Sequence, residues 1–132
     1  MTKLLTALRA AAENTRLRIL SILRNSELTV SELVEVLGQS QPRVSRHLKL
    51  LCDSGLLQRY QEGAWVFHRL SDSGSAEKLA NGIVDMIDVD DPDFEQDRER
   101  LKVIKARNAA RAAQYFSKNA AEWDSIRQMA VP

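Results

Sequence analysis

One cysteine, Cys52, and two histidines, His47 and His68, are the whole supply of soft metal ligands in 132 residues. A tetrahedral zinc site takes about three or four N or S ligands within reach of one another, so the sequence argues against one. The single cysteine, with no signal-peptide pattern and no transit-type N-terminus, points to a reducing cytoplasm. No apolar run approaches the length of a membrane span, so a soluble chain with no membrane partner is expected. Catalytic groupings are missing as well. Ser21, Ser26, Ser31, Ser40 and Ser45 have no His and carboxylate at a nucleophile's spacing, so no catalytic residue is assigned and no enzyme is expected. No Gly-rich strand-to-helix turn is present either, which leaves no place for a dinucleotide-type fold, and no cofactor is expected. Charge of one sign is not in excess: the net charge is +1. Its distribution says more, because residues 1–72 hold ten Lys or Arg against seven Asp or Glu, and residues 73–132 hold nine against eleven.

What is present is concentrated between residues 28 and 70. A short helix is predicted over 29–37, with Thr29 as N-cap and Glu32 at the capping-box position three residues on. Gly38 ends it. A second helix is predicted from about Ser40 to Ser54, with Pro42 in its first turn, where a missing N–H costs nothing, and Gly55 as its stop. At about 100° per residue Val44, Leu48, Leu51 and Gly55 share one side, flanked by His47 and Cys52. The opposite arc holds Arg43, Ser45, Arg46 and Lys49, with Ser40 and Gln41 at the helix start. A helix that packs on one face and presents donors on the other suits the major groove. Cys52 reads as a small core residue, while His47 is balanced between a hydrogen-bonded core position and a DNA contact.

Two strand-like runs follow, 57–61 and 64–70, joined through Glu62 and Gly63 and carrying Tyr60, Trp65, Val66 and Phe67. Such a hairpin is a wing. Arg59, Gln61, His68 and Arg69 give it polar edges that could meet phosphates beside the groove, contacts that position without specifying sequence. The fold class is therefore mainly α with a small β-hairpin (α+β), a winged helix-turn-helix with a long C-terminal helical extension.

Four stretches carry a closer likeness: Asn14-Thr15-Arg16-Leu17-Arg18-Ile19-Leu20, Thr29-Val30-Ser31-Glu32-Leu33, Gln41-Pro42-Arg43-Val44-Ser45-Arg46-His47-Leu48-Lys49-Leu50-Leu51 and Gly55-Leu56-Leu57. With the wing Glu62-Gly63-Ala64-Trp65-Val66-Phe67-His68-Arg69-Leu70, they resemble the ArsR/SmtB group of dimeric winged-helix transcriptional regulators over about residues 1–90. The resemblance implies double-stranded DNA as partner and a repressor that releases its operator when an inducer binds. Ser40, Gln41, Arg43, Ser45, Arg46, His47, Lys49, Arg59, Gln61 and His68 are the expected DNA contacts. Many members sense metals, but the family's thiolate site needs cysteines where this chain has Thr29 and Ser31. Its second site needs His on the helix after the wing, and residues 72–88 contain none.

Flanking helices are expected over 2–13, 15–25 and 73–88. Leu4, Leu5, Leu8, Ala11 and Ala12 are expected inward in the first, and Leu17, Ile19, Leu20 and Leu23 in the second. Ala76, Leu79, Ala80, Ile83, Val84 and Ile87 form a stripe in the third. A winged helix of about 70 residues has little interior to spare, so the outer two stripes suggest pairing of two copies across a two-fold axis, as the family does. A two-fold homodimer predicts a near-palindromic operator.

Beyond residue 90 the likeness fades. Residues 91–132 are read as a helical extension, or as a linker to a methyltransferase domain. Seven carboxylates lie between residues 85 and 97 with no base among them, read as a solvated hinge and an acidic helix start. Arg98, Arg100, Lys102, Lys105, Arg107, Arg111 and Lys118 follow on a segment free of Gly and Pro, which predicts one helix from about Pro92 to Ser117 or beyond. Leu101, Ile104, Asn108, Ala112, Tyr115 and Phe116 mark its thin apolar stripe. Residues 115–127, from Tyr115-Phe116-Ser117 through Trp123 to Arg127, resemble the lead-in of S-adenosylmethionine-dependent methyltransferases, a type found fused behind ArsR-like domains. That likeness implies a fragment of a longer regulator–methyltransferase and makes a methionine-cycle metabolite a candidate effector. It also keeps a second reading open, a regulatory module of a methyltransferase that acts through protein contacts.

Overall fold

The structure is a computed structural model that describes the backbone of residues 2–130 and the side chains of residues 2–117. In chain order the elements are α1 (Thr2–Ala11), α2 (Asn14–Leu23), α3 (Val30–Leu37), α4 (Gln41–Asp53), β1 (Leu57–Glu62), β2 (Trp65–Leu70), α5 (Gly74–Asp85) and α6 (Pro92–Ala130). The chain divides into two compact units, Met1–Leu101 and Lys102–Pro132.

Local chemistry sets the boundaries. The Glu13 carboxylate accepts from the Arg16 N–H at 2.9 Å and caps α2. Thr29 and Glu32 form the complete reciprocal capping box that opens α3. Gly38 closes α3 in the left-handed region at φ 67°, where its N–H donates to the Val34 carbonyl at 2.9 Å. Pro42 sits in the first turn of α4 as expected, and Ser54 follows its last residue.

Apolar faces of α2, α3 and α4 converge on one core. Ile19, Leu20 and Leu23 meet Leu33, Val36 and Leu37 from α3 and Val44, Leu48 and Leu51 from α4, and all nine are buried. Each buried Leu or Ile removes enough apolar surface from water to contribute about 1.5–3 kcal/mol before entropy is counted. Leu56, Leu57 and Leu70 seat the base of the hairpin in the same core. β1 and β2 pair antiparallel in a register that sets Leu57 opposite Leu70 and Glu62 opposite Trp65. The connecting turn is Gly63-Ala64, with positive φ at Gly63 alone, the pattern of a II′ turn. Leu28 bridges to His68 through two backbone hydrogen bonds of 2.8 and 3.2 Å, which ties the α2–α3 connection to the wing.

Three expectations change. In α1 the buried residues are Ala7 and Ala11, whereas Leu4, Leu5 and Leu8 are exposed on the single chain. Small residues let α1 approach the core closely, and its leucines lie along the flank beside Ala7 and Ala11, partly open to solvent. The acidic stretch is not wholly solvated, because Asp97 is 2 % exposed and held by Arg18. Cys52 is half-buried, not enclosed in the core.

The second unit is helical. Within it Val103, Tyr115 and Phe116 are exposed, and the two rings meet edge-on at 5.9 Å. The methyltransferase-like stretch lies, from residue 118 onward, outside the residues whose side chains are described, as does Lys118.

Candidate nucleic-acid interface

α4 is presented by burial of its own inner face. With Val44, Leu48 and Leu51 inside, Gln41, Arg43, Arg46 and Lys49 stand exposed on the outer arc and Ser45 is partly so. Ser40 is exposed at the N-cap, where its side chain makes no capping hydrogen bond. Lys49 donates to Asp53 at 3.1 Å across one helical turn in an exposed pair, which leaves Arg43 and Arg46 as the cations of this arc with no carboxylate partner among the described ion pairs.

His47 is not on that arc. Its ring lies against α2, where Arg16 Nη1 donates to Nδ1 at 3.2 Å and Glu13 Oε2 is 3.9 Å from the same nitrogen. A guanidinium has no acceptor, so Nδ1 must accept, and the ring is neutral with its proton on Nε2. Burial lowers the His47 pKa, Glu13 opposes this, and Arg16, Arg43 and Arg46 lower it further. Of the two roles open to His47, the geometry supplies the inward one. Its ring helps join α4 to the start of α2.

On the wing, Arg59 and Gln61 are exposed, as expected of phosphate contacts. His68 is a correction: it is 4 % exposed and cannot serve as a surface contact. The alternation of the strand explains it, since His68 shares the face of Leu70, which packs on the core. Burial lowers the His68 pKa, a backbone hydrogen bond with Leu28 opposes, and Arg59 lowers it further. The opposite face carries a cluster missed in the sequence. Tyr60 stacks on Phe67 at 5.5 Å, the Arg69 guanidinium covers the Tyr60 ring at 4.7 Å, and the Tyr60 hydroxyl donates to Glu27. Arg69 also pairs with Glu27 at 3.6 Å and Asp72 at 3.5 Å, so it holds the wing in place and is not an open cation at its edge. The signal for this was cross-strand adjacency of Tyr60 and Phe67, legible only once register is known. Trp65 stands at the tip, 64 % exposed.

Between α4 and the wing lies a hollow lined by Ser45, Lys49, Cys52, Asp53, Arg59 and Val66, among others. Burial pushes the Cys52 thiol pKa up, with Arg59 opposing, so the sulfur stays protonated and a poor nucleophile. Among the described residues, no group of three or more His, Cys, Asp and Glu is arranged so that it could hold a metal ion. None of the described helices is long and apolar enough to cross a membrane.

Residues 13–59 match the family model described as bacterial regulatory protein, arsR family. The chain is 51% identical over 61 residues to the arsenical resistance operon repressor of Escherichia coli K12, covering 46% of this chain and 52% of the relative. It thus spans about half the length of that curated relative. Among solved structures it is similar to reduced HlyU from Vibrio cholerae N16961, with a TM-score of 0.55, 35% identity, and coverage of 62% of this chain and 85% of the other. The homodimeric winged helix-turn-helix DNA-binding domain of Mb0332 from Mycobacterium bovis shares the fold, with a TM-score of 0.57, 23% identity, and coverage of 62% and 75%.

Proposed function

Because the chain belongs to the arsR family of bacterial regulatory proteins, we propose that it is a sequence-specific DNA-binding repressor that acts as a homodimer in the cytoplasm. The observation that carries this reading is α4, whose buried Val44, Leu48 and Leu51 turn Arg43 and Arg46 outward with no carboxylate partner among the described ion pairs. Leu50, two turns on from Arg43 and one from Arg46, is exposed on the same arc and is the apolar anchor that a protein-contact module would use instead. Ser40, Gln41, Arg43, Ser45, Arg46 and Lys49 take the base and phosphate contacts, and Arg59 and Gln61 the flanking phosphates. The dimer brings the exposed leucines of α1 together with α5 across a two-fold axis, and the operator is near-palindromic with half-sites about one helical turn apart.

The arsenical named for the Escherichia coli relative does not come across with the likeness. The family's thiolate positions here are Thr29, spent on the α3 cap, and Ser31. The likeness of residues 115–127 to a methyltransferase lead-in adds a methyltransferase domain in the same polypeptide to the proposal, and the open reading frame around this sequence checks it.

Fluorescence anisotropy on DNA from upstream of the gene, across a salt series and against a scrambled duplex, tests the main reading. Preference of about a thousandfold with affinity falling steeply in salt is expected. Absence of binding even at low salt would overturn it in favour of a protein-contact module.

A further inference from the structure

The first turns of α6 belong to the same compact unit as the winged helix and are bound into it by charged side chains. Asp97, 2 % exposed, accepts from Arg18 Nε and Nη2, both at 2.8 Å, a bidentate bond between α6 and α2. Arg18 Nη2 also donates to the Leu37 carbonyl at 3.4 Å. One turn beyond Asp97, Arg100 Nη1 donates to the Val36 carbonyl at 3.1 Å and lies 3.2 Å from where a Cβ on Gly38 would sit. Two further contacts fix the entry to α6: Asn14 donates to Asp93 at 3.3 Å and Arg98 to the Val89 carbonyl at 2.6 Å.

The Arg18 and Arg100 contacts meet at the end of α3. Its last carbonyls have no partner within the helix, and the donors that reach Val36 and Leu37 are two guanidiniums, one on α6 and one held by α6. Only Gly38, Gln39 and Ser40 separate that point from α4. Gln39 is itself tied to Thr15 at 3.0 Å, so the turn is held from α2 and from α6. The direction in which α4 leaves this turn decides where Arg43 and Arg46 fall relative to base edges.

Resting on the DNA-binding reading above, we propose that the start of α6 sets the pose of the recognition helix, with Asp97 and Arg100 as positioning residues that act through Arg18 and the α3–α4 turn and touch no DNA. Arg100→Met is the informative variant. It keeps an extended stem while it removes the donor, and it leaves the buried Arg18–Asp97 pair intact, which Asp97→Asn would disturb at the risk of the fold itself. Measured on a duplex that the wild type selects from a random pool, Arg100→Met is expected to weaken specific binding between about threefold and thirtyfold. Affinity for a scrambled duplex and the salt slope should stay as in the wild type. Equal loss on both duplexes with a slope shallower by about one would mean that Arg100 meets a phosphate directly, and would overturn the proposal. Unchanged affinity on the selected duplex would overturn it too.

Hydrogen exchange without DNA separates this from failure of the repressor reading. Faster exchange of the Gly38 amide, bonded to the Val34 carbonyl, and of the Val44 amide, bonded to the Ser40 carbonyl, in Arg100→Met, with global stability kept, is the expected result. Protection equal to the wild type would sink the proposal whether or not a duplex is ever selected. A wild type that selects no duplex while Gly38 loosens in the variant would refute the DNA reading and, with it, the role in readout.

Discussion

Arg46 stands on the outer arc of α4 with no carboxylate partner among the described ion pairs, whereas Lys49 is shared with Asp53. Arg46→Ala should therefore cost about 1–3 kcal/mol of operator binding and relax preference at one base pair, read by anisotropy on singly substituted duplexes. Lys49→Ala should act more evenly across sequences. His68 gives a pH dependence of stability. Burial lowers its pKa in the folded chain, so the unfolded chain takes up a proton first as pH falls. Stability is thus complete above the ordinary imidazole value of about 6.5 and declines as pH drops below it toward the folded value. The urea midpoint should fall between about pH 7.5 and 5.5, and less steeply in His68→Leu, while His47 contributes in the same direction. A midpoint that rises over that range would contradict this account of His68.

Elements whose ends are written in local chemistry are legible in the sequence itself. Thr29 with Glu32, Gly38, Pro42 and Gly55 delimit α3 and α4 to within about a residue, because caps and turns need only neighbours within one turn. Thr29→Ala should cost about 1 kcal/mol in a denaturant melt, with Glu32 losing its reciprocal partner. Side-chain destinations are harder. Counting in twos from Leu70 places His68 inward, a signal that its polar character outweighs. Asp97 follows Phe94 at helical spacing and shares its buried stripe, but a run of seven carboxylates reads as solvent-facing. Its partner Arg18 is 79 residues away, a separation that no local pattern carries. Gln39–Thr15 and Arg100–Val36 escape a local reading for the same reason.

At the scale of the whole molecule, Leu4, Leu5 and Leu8 lie exposed on one α1 face, which suits contact between copies better than contact with water. Sedimentation should give a dimer at micromolar concentration, and replacing the three leucines by serine should give a folded monomer. The thermal midpoint of the wild type should rise with protein concentration and that of the variant should not. A monomeric wild type would remove the symmetric operator from the reading.

The bond between Arg18 and Asp97 also sets a schedule. A chain made from its N-terminus at about 5–20 residues per second completes α4 roughly two to nine seconds before residue 97 is added. During that interval α2, α3 and α4 can collapse on their shared leucines while Arg18 still lacks its carboxylate. On the positioning role proposed for α6, the nascent helix-turn-helix is then folded but unfastened, and the emergence of Arg100 is the step that fastens its turn.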